Sequence, residues 1–337
     1  MDAFVKPYSD EQRRTLINLD QHYQNWIEVE RQLANLPYGM KWATRSRQDY
    51  LYQVLDRTGN AKSLGPRSAQ TEAQMELYTS TKSALEERRK ANAGKLAETC
   101  GLYRSLKLPL IPSEAAKILR EADRRLLLDG KLLVVGTNAM PAYSIEAGGR
   151  INDAPDETDD FDMTWAAPSK DTSVTGVMSM LKAVDSTFTV NTERTFQARN
   201  AKAFEFELLA APSTLGNMVV NDKPVPIPLE EQEWLLLGKA VSHVVVGRDG
   251  TPARIVAPDP RYFALQKLWM SAQEKRNPLK RPKDFKQGMA VLSVVRTTMP
   301  HLPLDDDFEK SLPPELQGHF AHWRKNMPED HDFSLNW

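Results

Sequence analysis

Between Lys131 and Trp165 the chain reads KLLVVGTNAMPAYSIEAGGRINDAPDETDDFDMTW, and few folds accommodate that order of features. Leu132 to Val135 form a branched aliphatic run with the composition of a buried strand. Gly136-Thr137 ends the run, and a helix follows with Pro141 in its first turn, where a missing N–H costs little. A second strand then carries Asp159, Asp160 and Asp162 around Phe161. Strand side chains alternate, so Asp160 and Asp162 share a face, Phe161 turns to the core, and Asp159 flanks them on the opposite side from Asp160.

Two carboxylates held side by side repel one another, and a hard cation resolves the repulsion. Mg²⁺ takes oxygen ligands in this way, through one or two carboxylates completed by phosphate oxygens. The Gly136-Thr137 turn supplies the other half. Glycine lets backbone approach a phosphate, Thr137 can cap the helix, and the N–H groups of a helix start attract anions. Taken singly, the turn is common in α/β proteins and an Asp-x-Asp pair is as often a solvated strand; the information lies in their combination.

That combination, Gly136-Thr137 at a strand end, about three turns of helix, then Asp160-x-Asp162, resembles the signature of the polymerase-β-like nucleotidyltransferase superfamily. Kanamycin nucleotidyltransferase, CCA-adding enzymes, minimal nucleotidyltransferases and nucleotidyltransferase toxins belong to it. The superfamily uses a third carboxylate on a later strand, and Ala203 to Leu209 offers Glu205 and Glu207 on one face with phenylalanines on the other. Glu207, before Leu208-Leu209, is the better match. A Glu thus replaces the usual third Asp, and Thr137 stands where Ser is commoner. The segments Lys62–Ser68 and Gly136–Ala139 further resemble a bacterial nucleotidyltransferase-like subfamily of the NTP-transferase 8 type. The fold this implies is α+β: a small mixed sheet at residues 108–257, a helical region with a basic β-hairpin (41–67) at residues 1–107, and a C-terminal helical region at 258–337.

Composition sets few limits. The chain has 337 residues, 41% hydrophobic and 26% charged, with a formal net charge of −1, ordinary values for a globular protein long enough for two or three domains. Near neutrality argues against a wholesale polyanion binder but allows a local basic face. Cys100 stands alone and the six histidines lack ligand spacing, which excludes an internal disulfide and a cysteine metal cage. No apolar run has membrane-spanning length, and Met1 to Pro7 does not read as a signal peptide. The expectation is a cytoplasmic protein with no membrane contact.

In chain order, Ser9 opens a long amphipathic helix striped by Leu16, Leu19, Tyr23, Trp26, Ile27 and Leu33. Strands follow at Lys41-Trp42 and Asp49–Leu55, with a hairpin turn signal at Asp56–Asn60. From Lys41 to Arg67 six basic residues stand against two acids, among Trp42, Tyr50 and Tyr52, a mixture able to hold phosphates and stack bases or simply to pack on its neighbours. A second long helix spans about Ser68 to Tyr103, and Ser113 to Leu127 gives a shorter one. Beyond Trp165 the pattern predicts a helix over about Thr172 to Val184, strands near Phe188, Phe196 and Phe204, an apolar strand at Trp234–Leu237, and a hairpin of Val241–Val246 with Ala253–Val256. Helices then follow from Pro260, with a basic run of Lys275, Arg276, Lys280, Arg281, Lys283 and Lys286.

Lys267 lies inside the apolar stretch Phe263–Trp269 and needs a partner for its charge. A nucleotide triphosphate would serve, and related enzymes place a similar Lys-Leu pair toward the active site; the alternative is a lysine snorkelling to water. The resemblance therefore implies a Mg²⁺-dependent transfer of a nucleoside monophosphate from an NTP to an acceptor hydroxyl, with two ions. Asp160, Asp162 and Glu207 would be catalytic and metal-binding, and Gly136, Thr137 and Lys267 would hold the nucleotide. RNA, for instance a tRNA 3′ end, is the favoured acceptor, since 17 Lys and Arg stand against 13 Asp and Glu through Lys107. A protein hydroxyl or a small molecule stays open, as do a toxin role with an antitoxin partner and a non-catalytic nucleotide- or RNA-binding module.

Overall fold

The computed structural model describes residues 4–152, 160–167, 176–215 and 223–326. Two compact units emerge, one of residues 14–105 and one of residues 1–13 with 106–337.

The smaller unit holds one sheet, one long helix and all but the first turn of another. Helix α1 (Asp10–Asn35) opens on a reciprocal cap in which Gln12 N donates to Ser9 Oγ and Ser9 N donates to Gln12 Oε1, the arrangement that satisfies two orphan helix donors. Thr15, Leu19, Tyr23 and Ile27 recur every fourth residue and are buried, so the apolar stripe in the sequence is this helix's packed face. Strands β1 (Gly39–Arg45), β2 (Gln48–Val54) and β3 (Ala61–Pro66) form an antiparallel sheet, and α2 (Ala69–Ser105) follows. The expected hairpin is thus a three-stranded sheet. Its first turn passes through Ser46 and Arg47 with φ of 52° and 65°, the left-handed pair of a two-residue hairpin loop that Asn-Gly normally signals. The Asp56–Asn60 turn joins the second and third strands, where Asp56 Oδ1 accepts from the N–H groups of Thr58 and Asn60.

In the larger unit a mixed sheet is built from β4 (Leu132–Val134), β5 (Asp160–Trp165), β6 (Thr189–Val190), β7 (Gln197–Arg199) and β8 (Glu205–Ala210), in the order β4-β5-β8-β7-β6. The central pair β5/β8 is parallel, β4 and β7 flank it antiparallel, and Ile227–Pro228 adds a short parallel strand beside the end of β8. Val241–Gly247 and Pro252–Ala257 form the expected hairpin, turned at Asp249-Gly250, with helix α3 (Ser113–Arg124) against it. Gly247 permits that contact, since a Cβ there would sit 2.8 Å from the Ala116 Cβ.

One element departs from expectation. The run at Trp234–Leu237 belongs to a 3-10 helix, Glu230–Leu236, whose Trp234 packs edge-on against Trp269 at 5.0 Å; burial of a short apolar run does not distinguish strand from helix. The helix expected from Thr172 is seen as α4 (Val177–Val184), its earlier part lying outside the described residues. The C-terminal helices α5 (Pro260–Ala272) and α6 (Arg281–Thr298) pack closely within the same unit as the mixed sheet, with Gly288 directly against Leu268 and Ala264. Mixed helices and sheets of this kind make the fold α+β. Among the described residues no helix is long and apolar enough to cross a membrane.

Candidate functional site

The parallel pairing of β5 and β8 sets Asp160 opposite Glu205 and Asp162 opposite Glu207. Residues opposite one another share a face, so four carboxylates gather on one side of the sheet. Phe161 and Phe206 occupy the other side, fully buried with ring centroids 6.1 Å apart. Apolar packing behind the sheet thus holds the mutually repelling acids in front of it. Asp159, the expected flank, lies outside the described residues.

The Gly136 turn closes over the acids. Val135 N donates to Asp162 O at 3.1 Å and Asn138 Nδ2 donates to Asp160 O at 2.9 Å. Gly136 has φ +68°, and a Cβ there would lie 2.7 Å from Asp162 Oδ2, so both the backbone conformation and the close approach require glycine. Residues Gly136–Ala139 form a 3-10 turn that leads into the helix Met140–Glu146. Thr137 does not cap it; its hydroxyl is buried and accepts from Gln287 Nε2 on α6 at 3.2 Å.

Electrostatics distinguish the acids. Burial, then the charges of Glu207 and Asp160, push the Asp162 carboxyl up to about 7. Its Oδ1 is buried with no hydrogen-bond partner among the described residues. Glu207 is also raised, by burial and by Asp160, against the opposing Gln197 hydrogen bond and Lys280. Gln197 Nε2 donates to Glu205 Oε2 at 2.9 Å and to Glu207 Oε1 at 3.1 Å, and Arg199 pairs with Glu205. Lys280, just ahead of α6, donates to Asp160 Oδ2 at 3.2 Å. Lys283 is held below the usual lysine range by burial and by Lys267, with Lys280 adding to the effect.

Lys267 is buried, as its apolar setting requires, and its partner belongs to the chain: Asp284 Oδ1 lies 2.8 Å from Nζ. Arg276 Nε holds the other oxygen of Asp284 at 2.7 Å, and the Lys267 ammonium stands 5.7 Å from the Phe263 ring centroid. The expectation that Lys267 needs a triphosphate as counter-charge is therefore corrected, because α6 supplies an aspartate from one turn beyond Lys280. Lys280, Gln197 and Gln287 take part in the site although the sequence marks them only as members of a basic run or as ordinary glutamines.

A cavity of about 560 Å³ opens beside the acids, lined by Glu114, Asp160, Lys202, Ala203, Phe204 and Glu205. Each of its carboxylates has a cation: Lys202 for Glu114, Lys280 for Asp160 and Arg199 for Glu205.

Among the described residues, no three His, Cys, Asp or Glu side chains converge closely enough to hold a metal ion as they stand. Mg²⁺ at a phosphate site asks less of the protein, one or two carboxylates with phosphate and water oxygens completing the shell. The unpartnered Asp162 oxygen and the adjacent Asp160 fit that requirement.

A strand, a glycine turn, a helix and a second strand with paired acids, beside a third strand with two more, bring four carboxylates to one face of the sheet. A family model described as nucleotidyltransferase matches residues 113–313, and the chain belongs to that family. No curated protein matches. Among solved structures the chain is similar to an antigenic nucleotidyltransferase-like protein from Paracoccidioides brasiliensis, at 17% identity over 65% of this chain and 91% of that one, with a TM-score of 0.37.

Proposed function

We propose that the protein transfers a nucleoside monophosphate from an NTP to an acceptor hydroxyl. The single observation that carries this reading is the Asp162 carboxylate, buried, crowded by Asp160 and Glu207 and left with an unpartnered oxygen. Such a group is costly unless a cation or ligand answers it.

Asp160 and Asp162 would hold Mg²⁺, which when bound neutralises triphosphate charge and polarises the reacting phosphate. Glu207 would help hold a second ion and draw the proton from the acceptor hydroxyl. The acceptor oxygen forms a bond to the α-phosphorus, the α–β bridging P–O bond breaks, and pyrophosphate leaves with that electron pair. Backbone N–H groups of the Gly136–Ala139 turn would face the phosphates. Lys280 and Lys283 would meet the leaving pyrophosphate, with Lys267 acting indirectly through Asp284. The cavity between Glu114 and Phe204 offers the acceptor an approach to Asp160. An RNA end is the first acceptor to test, and a protein hydroxyl the second.

A different reading, a fold that binds nucleotide without turning it over, draws on the fact that Lys280 and Gln197 already engage Asp160 and Glu207. One experiment separates the two. Protein, Mg²⁺ and each α-³²P-labelled NTP are incubated with total RNA, total protein or neither, beside an Asp160→Ala/Asp162→Ala variant. Label in RNA or in a protein band with the wild type alone supports transfer and identifies the acceptor class. NTP binding without label or pyrophosphate release supports the non-catalytic fold.

A further inference from the structure

In the smaller unit the sequence's basic-aromatic segment is a folded surface with a defined arrangement. Leu51 is fully buried and pairs across the sheet with Trp42, so these two lie on the covered face of the sheet. The opposite face follows from the register. Lys41 stands across from Tyr52, Ala43 from Tyr50, Arg45 from Gln48, and Ser63 on β3 lies beside Tyr52. This face therefore presents two half-exposed tyrosines in a row along one strand, bordered by Lys41 and Arg45, with Arg47 exposed at the turn.

The charge on this sheet is uncompensated for a structural reason. Its two acids are already engaged. Asp49 accepts from Thr44 Oγ1 at 2.7 Å and pairs with Arg67, while Asp56 is surrounded by the donors of its own turn, Thr58 and Asn60. Arg67, stacked 5.2 Å from the Trp42 ring centroid and paired with Glu72, is engaged as well. Lys41, Arg45, Arg47, Arg57 and Lys62 make no ion pair among the described residues. An exposed aromatic row flanked by unneutralised cations matches what single-stranded nucleic acid offers, a π-face on each base and a charge on each phosphate.

We propose that the outer face of the β1-β2-β3 sheet is a binding surface for single-stranded RNA, with Tyr50 and Tyr52 stacking successive bases and Lys41, Arg45 and Arg47 meeting the phosphates. Gln48 and Ser63 on the same face supply the donors and acceptors that a 2′-hydroxyl engages, which favours RNA over DNA. The proposal rests on the reading of RNA as acceptor and gives that acceptor a place on the chain remote in sequence from the carboxylates.

The test uses the full chain and a fluorescein-labelled mixed-sequence single-stranded RNA, followed by anisotropy across a salt series. Wild type should bind, with affinity falling as salt rises. A Lys41→Gln/Arg45→Gln/Arg47→Gln variant should bind at least tenfold more weakly and lose about two units of salt slope, since each single-strand phosphate contact contributes roughly 0.7. A Tyr50→Leu/Tyr52→Leu variant should lose about tenfold or more while keeping the wild-type slope, because stacking carries no ionic component. Both sets of side chains lie away from Leu51, and unchanged thermal melts would show that the fold is intact. Unchanged RNA affinity in both variants, or equal preference for single-stranded DNA, duplex RNA or anionic vesicles, would overturn the proposal. Mg²⁺–NTP thermal stabilisation in the same variants keeps its failure distinct: stabilisation intact with RNA binding unaltered sinks the surface, whereas stabilisation absent from wild type sinks the transfer reading.

Discussion

Two groups of buried charge in the larger unit make opposite use of burial. Around Asp284 every charge is answered: Lys267 holds one oxygen and Arg276 the other, and although burial alone would raise the Asp284 carboxyl, these cations outweigh it and bring it below the ordinary value. Around Asp162 burial is compounded by like charge, and one oxygen has no partner among the described residues. The first group is electrically closed, as an internal support must be; the second is open, as the proposed binding site requires. Fixed cations decide which is which. Lys280, one helical turn before Asp284, hydrogen-bonds Asp160, and its charge and that of Lys267 lower Asp162 by less than burial and its acidic neighbours raise it.

The open group should show the largest effects. Asp162→Ala should reduce label transfer by about a thousandfold or more with the fold retained, because the charge that would hold the metal is gone. Glu207→Ala should also abolish transfer, whereas Glu205→Ala should leave a measurable rate; equal losses would reassign the third carboxylate. At the closed group the same kind of change should act on stability. Asp284→Ala leaves Lys267 buried and unpaired and should cost about 3–5 kcal/mol in urea unfolding, and a Lys267→Met/Asp284→Leu double variant should recover much of it. If Asp284→Ala instead leaves stability untouched and removes NTP binding, the assignment of the two groups is reversed.

Titration gives a smaller effect with a definite sign. The Asp162 carboxyl titrates near 7 in the fold against an ordinary 3.8, so between those values the native protein keeps a proton that the unfolded chain has released. The metal-free protein should be most favoured by this group below its ordinary value and should lose stability as pH rises through 7. Asp162→Asn should flatten that decline and raise stability at pH 8, measured by thermal melts in chelator. The smallest effect is expected at the half-exposed Lys280. Lys280→Ala should change stability by less than about 1 kcal/mol while weakening Mg²⁺–NTP stabilisation several-fold, which a thermal shift titration reads directly.

Much of this was legible in the chain. Alternation alone placed Asp160 and Asp162 together with Phe161 behind them, and repeated the pattern at Glu205, Phe206 and Glu207, because side-chain period in a strand is a local property. The partners were not legible. Lys280, Gln197 and Gln287 come from other elements, and only the packed fold decides which acid or hydroxyl each reaches. Lys267 shows both sides: its sequence neighbours reveal that a counter-charge is needed, but not that Asp284 provides it. The Ser46-Arg47 turn is not legible because neither residue carries the glycine or asparagine signature of left-handed backbone.

The parallel pairing of β5 with β8 has a consequence for folding. Parallel neighbours cannot be joined by a tight turn, and the acids of the two strands meet only after residues 166–204 have found their path between them. No short segment of this chain therefore contains the site, even in nascent form, and a partly folded molecule carries the same carboxylates scattered and chemically ordinary. Stoichiometric nucleotide binding would then count the molecules in a preparation whose central sheet is complete, a census that far-ultraviolet spectra, dominated by the many helices outside that sheet, would miss.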